Sequence, residues 1–254
     1  MKKNIVVLAL LVLLLTSPST SLAQKKTGTI ALPKIGVSIG TSDKPEDLSV
    51  TLQLLLLMTI LSLAPSILIM TTSYLRIIIV FQFLKTSLGT MQMPPNQLLA
   101  GIALFLTFFI MAPTWNQVND QALQPYLNHE ISIDSAYTQG VKPIRKFMLH
   151  NVRNEDLELF VSMSSINRPN SPTDLPMQVL IPAFVLSELR AGFVIGFFLF
   201  IPFVMVDMIV SSILMSMGMM MLPPMLISLP FKILLFVLVD GWNLIVGSLV
   251  RSFA

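Results

Sequence analysis

Glu188, Asp207, Lys232 and Asp240 are ionisable side chains set in long apolar runs. A charge in such a run is expensive, so each points to a function or to assembly. Two aspartates brought together could share a proton, as in an intramembrane aspartyl protease. Asp207 lies in Val204-Met205-Val206-Asp207-Met208, without the flanking glycine of that chemistry, and Asp240, before Gly241-Trp242, reads more simply as a helix end. The opposite signs of Glu188 and Lys232 suggest a different arrangement. Glu188 lies one helical turn before Gly192, and Gly192 one turn before Gly196, so the three share a face and form a GxxxG stripe. Two glycines at this spacing let another helix come close, and an acid on the same stripe faces a partner there. Lys232 is the cation available to it. Paired, the two charges are tolerated in a dry interface and fix its register; unpaired, they mark water-facing ends of spans.

Other chemistries lack their residues. The chain has no cysteine, hence no disulfide, thiolate nucleophile or thiolate metal site, and it has only two histidines, His129 and His150. No glycine-rich phosphate loop of the Walker type is present, so nucleotide hydrolysis is not expected here. No cofactor and no enzymatic activity are expected. The 16 basic residues are scattered and do not form the stripe that nucleic acid requires.

The elements that must hold these side chains are set by composition. Of 254 residues, 54% are hydrophobic and 11% charged, against roughly 25% charged in soluble chains. Mean hydropathy is +0.79. So few charges cannot cover a soluble surface, and the chain belongs in a bilayer or in an assembly that replaces one. Met1-Lys2-Lys3, the apolar run Ile5–Leu15 and Ser21-Leu22-Ala23 read as a cleavable signal peptide over residues 1–23. This run is too short to cross ~30 Å of hydrocarbon. A flexible arm is expected over 24–47 and a first helical region over 48–115. Within that region Leu48–Leu84, interrupted by Pro65 and by Tyr74-Leu75-Arg76, is too long for one straight span and short for two. Met93-Pro94-Pro95 breaks the chain before a second apolar stretch from Leu98 to Trp115. Residues 116–176 form a polar external loop, with one helix expected from Pro143-Ile144 and a second capped by Asn154. Residues 177–254 return to the membrane as two long spans or three short ones, broken at Pro223-Pro224 and Pro230.

Six of the 17 methionines fall between Met215 and Met225. Met219-Met220-Met221 follows Gly218 and precedes Leu222-Pro223-Pro224, so this run is expected to leave regular helix. Methionine is unbranched and polarisable. The run fits ordinary core packing, and it also fits a soft constriction in which several copies meet on an axis.

Two stretches carry a resemblance. Pro182-Ala183-Phe184-Val185-Leu186-Ser187-Glu188-Leu189, continued by Gly192-Phe193 and Ile195-Gly196-Phe197, resembles the first signature of the FliP family. Pro230-Phe231-Lys232, Ile233 to Val239 and then Asp240-Gly241-Trp242 resemble the second, with the methionine run between them. Val194 departs from the family, which usually has a longer polar residue there. The resemblance implies an all-α membrane protein of tilted helical hairpins, assembled as a homo-pentameric ring in the flagellar type III export gate. It implies FliQ, FliR, FlhB and FlhA as partners, contact with membrane lipid, and unfolded rod, hook and filament subunits as cargo. It places the gate in the inner membrane at the basal body, with the mature amino terminus periplasmic. It further implies that Met219, Met220 and Met221 form a gasket around the closed channel, and that Glu188 and Lys232 pair between neighbouring subunits. An injectisome gate subunit, a small-solute transporter or channel, and a pore-free assembly factor are the alternatives.

Overall fold

The computed structural model describes residues 45–90, 93–164, 175–219 and 222–253. The expected signal peptide, most of the arm, Met220 and Met221 lie outside the described residues. Every regular element among them is helical. In chain order these are α1 (Pro45–Thr71), α2 (Tyr74–Leu88), α3 (Asn96–Val118) and a π-helical turn (Asn119–Leu123) that runs into α4 (Gln124–Leu127). Then come α5 (Ile133–Asn151), α6 (Asn154–Met163), α7 (Met177–Ser216), α8 (Pro224–Leu238) and α9 (Gly241–Arg251).

The chain is an all-α membrane protein. Three helical stretches, Leu52–Thr71, Asn96–Leu127 and Met177–Ser216, are long and apolar enough to cross a bilayer, and α8 with α9, bent by 62°, makes a fourth if counted as one broken span. No residue of α1 from Leu52 to Met70 is buried, although most are Leu, Ile or Met. A helix apolar on all sides needs lipid or other protein around it. At 40 residues, α7 is about 60 Å long, twice the ~30 Å of a hydrocarbon core. Its first turns are covered by protein: Leu180 and Phe184 pack with Met148 of α5, and Leu157 of α6 joins them.

The long apolar stretch at 48–84 resolves into two helices, and the break falls at Thr72-Ser73, not at Pro65, which lies inside α1. The hydroxyls of Thr71 and Thr72 donate to the carbonyls of Ile67 and Leu68 at 2.8 and 2.7 Å, the second of these among the acceptors that the ending helix leaves open. Helix also continues beyond Trp115, where apolarity stops, because Ala122 in the π turn packs against Gly140 of α5. α5 begins at Ile133 and not at Pro143: Ser132 caps it, accepting from the Ser135 N–H at 3.3 Å. In the carboxyl half, Pro182, Pro202 and Pro230 all lie inside helices, and the chain breaks only at Gly218 to Pro224 and at Val239-Asp240.

At the centre of the fold is α2. Ile77, Val80, Phe81 and Leu84 are fully buried and pack with Leu99 and Ala103 of α3, Phe203 of α7, Phe236 of α8 and Ile245 and Leu249 of α9. α2 and α7 run side by side in the same direction, since Gly192 faces Ile79 and Gly196 faces Phe83. A Cβ at Gly196 would stand 2.5 Å from Phe83 Cγ, and one at Gly192 would stand 3.0 Å from Ile79 Cγ2. The GxxxG stripe thus admits two bulky side chains of the neighbouring helix. Gly196→Val is expected to destabilise the protein by about 1–3 kcal/mol through overpacking, with part of the loss recovered by adding Phe83→Ala. Thermal unfolding in detergent measures both. An unchanged Tm for Gly196→Val would mean that this contact does not set the helix spacing.

Candidate functional site

Two buried ion networks join α2 to α7. In the first, Arg76 of α2 meets Glu188 of α7. The guanidinium Nε donates to Glu188 Oε2 at 2.9 Å, and Nη2 donates to Oε1 to complete a bidentate fork. The two side chains are 6% and 0% exposed. The remaining donors are used as well. Nη1 donates to the carbonyl of Ser252 at 2.8 Å and to its hydroxyl at 3.0 Å, and Nη2 reaches Asn151 Oδ1 at 3.4 Å. The Phe253 ring lies 3.7 Å from the guanidinium carbon and stacks on Phe147. One cation therefore ties α2, α5, α7 and the carboxyl-terminal residues together. Next to it, the Ser187 hydroxyl donates to Asp156 Oδ2 at 2.7 Å and accepts from the Arg153 N–H at 3.0 Å, fastening the start of α6 to α7.

The second network lies further along α7. Lys232 of α8 donates to Asp207 Oδ2 of α7 at 2.6 Å and to the Ser87 carbonyl in the last turn of α2 at 3.0 Å. Ser228 donates to Asp207 Oδ1 at 2.5 Å. The side chains of Lys232 and Asp207 are 4% and 32% exposed.

Within one copy, Glu188 pairs with Arg76 and Lys232 with Asp207, and Glu188 and Lys232 do not pair with each other. The cause is helix direction. Arg76 enters α2 beside Glu188, whereas Lys232 emerges from α8 level with the far end of α2. Arg76, which the sequence shows only as an interruption in an apolar stretch, is the residue that reading missed. A lone guanidinium flanked by Tyr74-Leu75 and Ile77-Ile78-Ile79 was the available signal. Asp207 is held by Lys232 and Ser228, so it does not form a dyad with Asp240. Asp240 occupies the break between α8 and α9 at φ 49°.

The signature residues surround these networks. Phe184 is fully buried, edge-on to Phe147 at 6.0 Å, and Pro182 lies in the second turn of α7. Trp242 meets Phe236 and Phe81 edge-on at 5.5 and 6.3 Å. Gly241 leaves room for the Phe236 ring, which a Cβ would strike.

At the end of α7 the chain turns sharply. Gly218 has φ +76°, and its N–H bonds the Met215 carbonyl at 3.1 Å while the Met219 N–H bonds the Leu214 carbonyl at 3.0 Å. These two bonds form a Schellman motif, in which the left-handed residue is most easily glycine. Pro223 caps α8 and Pro224 is its first residue, where a missing N–H costs nothing. Between them Met219 is out of helix and 45% exposed, and Met215, Met217 and Met225 are also exposed. Met225 lies over Gly89, where the α2–α3 connection begins.

These features define a class: a helical membrane protein whose polar groups serve packing, with a methionine-rich turn at the end of its longest helix. The FliP family profile matches residues 57–249, and the chain belongs to the FliP family. It is 56% identical over 217 residues to the flagellar biosynthetic protein FliP of Bacillus subtilis (strain 168), covering 85% of this chain and 98% of that protein. Against the FliP of Treponema denticola it is 43% identical over 270 residues, with both chains covered throughout. Against that of Aquifex aeolicus it is 48% identical over 224 residues, covering 87% and 92%.

Proposed function

We propose that this chain is a ring-forming, non-enzymatic subunit of the flagellar export gate, in which the methionine turn seals a conduit for unfolded flagellar subunits. Family membership makes it a component of the flagellar export apparatus that works with other proteins of that apparatus. The finer reading is a homo-pentamer joined to FliQ and FliR, receiving FlhB and lying near FlhA, in the inner membrane with a periplasmic mature amino terminus. The observation that carries it is the turn itself: α7 stops at a Schellman glycine, α8 restarts at a proline pair, and Met219 between them and Met215, Met217 and Met225 beside them are exposed. Exposed thioethers in a single copy are poorly placed for its own core and well placed to meet those of other copies. Two features support partial withdrawal from the bilayer: α7 exceeds the bilayer's thickness, and its first turns are covered by α5 and α6.

The mechanism asks this chain to position rather than to react. The Arg76 and Lys232 networks fix α7 and α8, and through them both ends of the methionine turn. The apolar turn excludes water and ions, while flexible thioethers yield to a passing chain. In cells lacking this chain, supplying it is expected to restore secretion of hook and filament subunits, and native mass measurement of the detergent-extracted complex is expected to count five copies. Secretion that proceeds equally without the chain would contradict the reading.

A further inference from the structure

Outside both networks, a groove of about 700 Å³ runs along α5 and ends at Met177, the first residue of α7. Its floor is apolar, with Val141, Leu149 and Met177, and Lys142 and Lys146 stand exposed at its edge beside Tyr137. Arg145, also on this face, donates to the Leu175 carbonyl at 2.7 Å and so holds the start of α7 against α5. No α6 residue lines this groove. Yet α6 carries the complementary surface. Glu155, Glu158, Leu159 and Ser162 are exposed at helical spacing, and Met163 extends the stripe. Leu159 is 47% exposed, and neither it nor Met163 belongs to an apolar cluster of this copy. The ion pair of Glu155 with Arg153 at 2.9 Å leaves the Glu155 side chain 71% exposed, so it does not prevent Glu155 from facing a new cation.

We infer that the α5 groove of one copy receives the α6 stripe of the next. Leu159 and Met163 enter the apolar floor, and Glu158 and Glu155 meet Lys146 and Lys142 at the rim. Cationic edges around an apolar floor suit an acidic-apolar helix better than a uniformly apolar one, and opposed rim charges fix which way it lies. The groove and the stripe are different surfaces of the same chain, so the contact is head-to-tail. A head-to-tail contact propagates and closes into a ring if its rotation allows. This contact rests on the ring reading above and supplies one of its interfaces.

Because the chain has no cysteine, a double variant Lys146→Cys/Glu158→Cys in the full-length membrane complex tests the contact directly under mild oxidation. The expected result is a ladder of covalent oligomers up to the ring, with neither single-cysteine variant cross-linking. Charge reversal gives an independent arm. Lys142→Glu/Lys146→Glu and Glu155→Lys/Glu158→Lys should each lower the yield of assembled complex by about tenfold, and their combination should restore most of it. Native mass measurement of the unmodified complex is run alongside. A ring of normal size with no ladder would overturn this interface and leave the ring reading intact; a monomeric unmodified protein would overturn both. A disulfide formed only within one chain, or cross-linking of a single-cysteine variant, would also overturn the head-to-tail arrangement.

Discussion

Arg76→Ala is expected to destabilise the protein by about 3–5 kcal/mol, the cost of stranding one member of a buried ion pair. It leaves Glu188, fully buried, without its bidentate partner, and it removes the donors that hold Ser252 and Asn151. Glu188→Ala strands the guanidinium in the same way, although the Ser252 acceptors and the Phe253 ring remain for it, so its loss should be somewhat smaller. Replacing both together, Arg76→Met with Glu188→Leu, should recover much of the stability, because an apolar pair in this position needs no mutual compensation. Thermal unfolding in detergent and the steady-state amount of protein in the membrane measure the series. If Arg76→Ala unfolds at the wild-type temperature, the pair does not hold α2 to α7, and the fold rests on apolar packing alone.

The Lys232–Asp207 pair should respond unevenly. Lys232 is 4% exposed, whereas Asp207 is 32% exposed. Asp207→Ala therefore leaves an ammonium buried with the Ser87 carbonyl as its remaining acceptor, while Lys232→Met leaves a carboxylate that is partly exposed and that Ser228 still bonds. The first is expected to cost about 3 kcal/mol or more, and the second clearly less. Lys232→Met frees α8 from the last turn of α2, and Asp207→Ala frees it from α7, so both should impair secretion of flagellar subunits, and Asp207→Ala should also lower the amount of folded protein. Secretion and protein amount, read on the same cultures, separate the two effects. Equal losses of stability would mean that Asp207 is as dry as Lys232 in the assembled complex.

The parts of this fold set by local chemistry were legible in the sequence. Gly218 before the methionines and Pro223-Pro224 after them mark where α7 stops and α8 starts, because one residue needs a left-handed backbone and the others lack a donor. Gly192 and Gly196 mark a face of close approach because nothing larger fits against Ile79 and Phe83. The α6 helix was likewise readable from Leu157, Phe160 and Val161, although Asn154 is its first residue and Arg153 occupies the cap position. What was not legible is set by tertiary partners. Pro65, Pro113, Pro182, Pro202 and Pro230 lie inside apolar helices, where a broken backbone bond has no water to turn to and neighbouring groups absorb it, and Pro143 lies inside α5, where it is buried. The partner of Glu188 could not be read either. The sequence pointed to Lys232, and only the parallel course of α2 and α7 selects Arg76, 112 positions away. The same course carries Lys232 to Asp207.

The proposed seal of the conduit is the methionine turn. Its most direct test replaces Met219, Met220 and Met221 together with Ala in cells whose export complex still assembles, and measures ion leak across the membrane alongside secretion of flagellar subunits. Smaller side chains at a shared axis should raise the leak while the complex keeps its size, with secretion retained or loosened. A membrane as tight as that of the wild type, with a complex of normal size, would contradict the seal; loss of the complex without leak would return these methionines to structural packing.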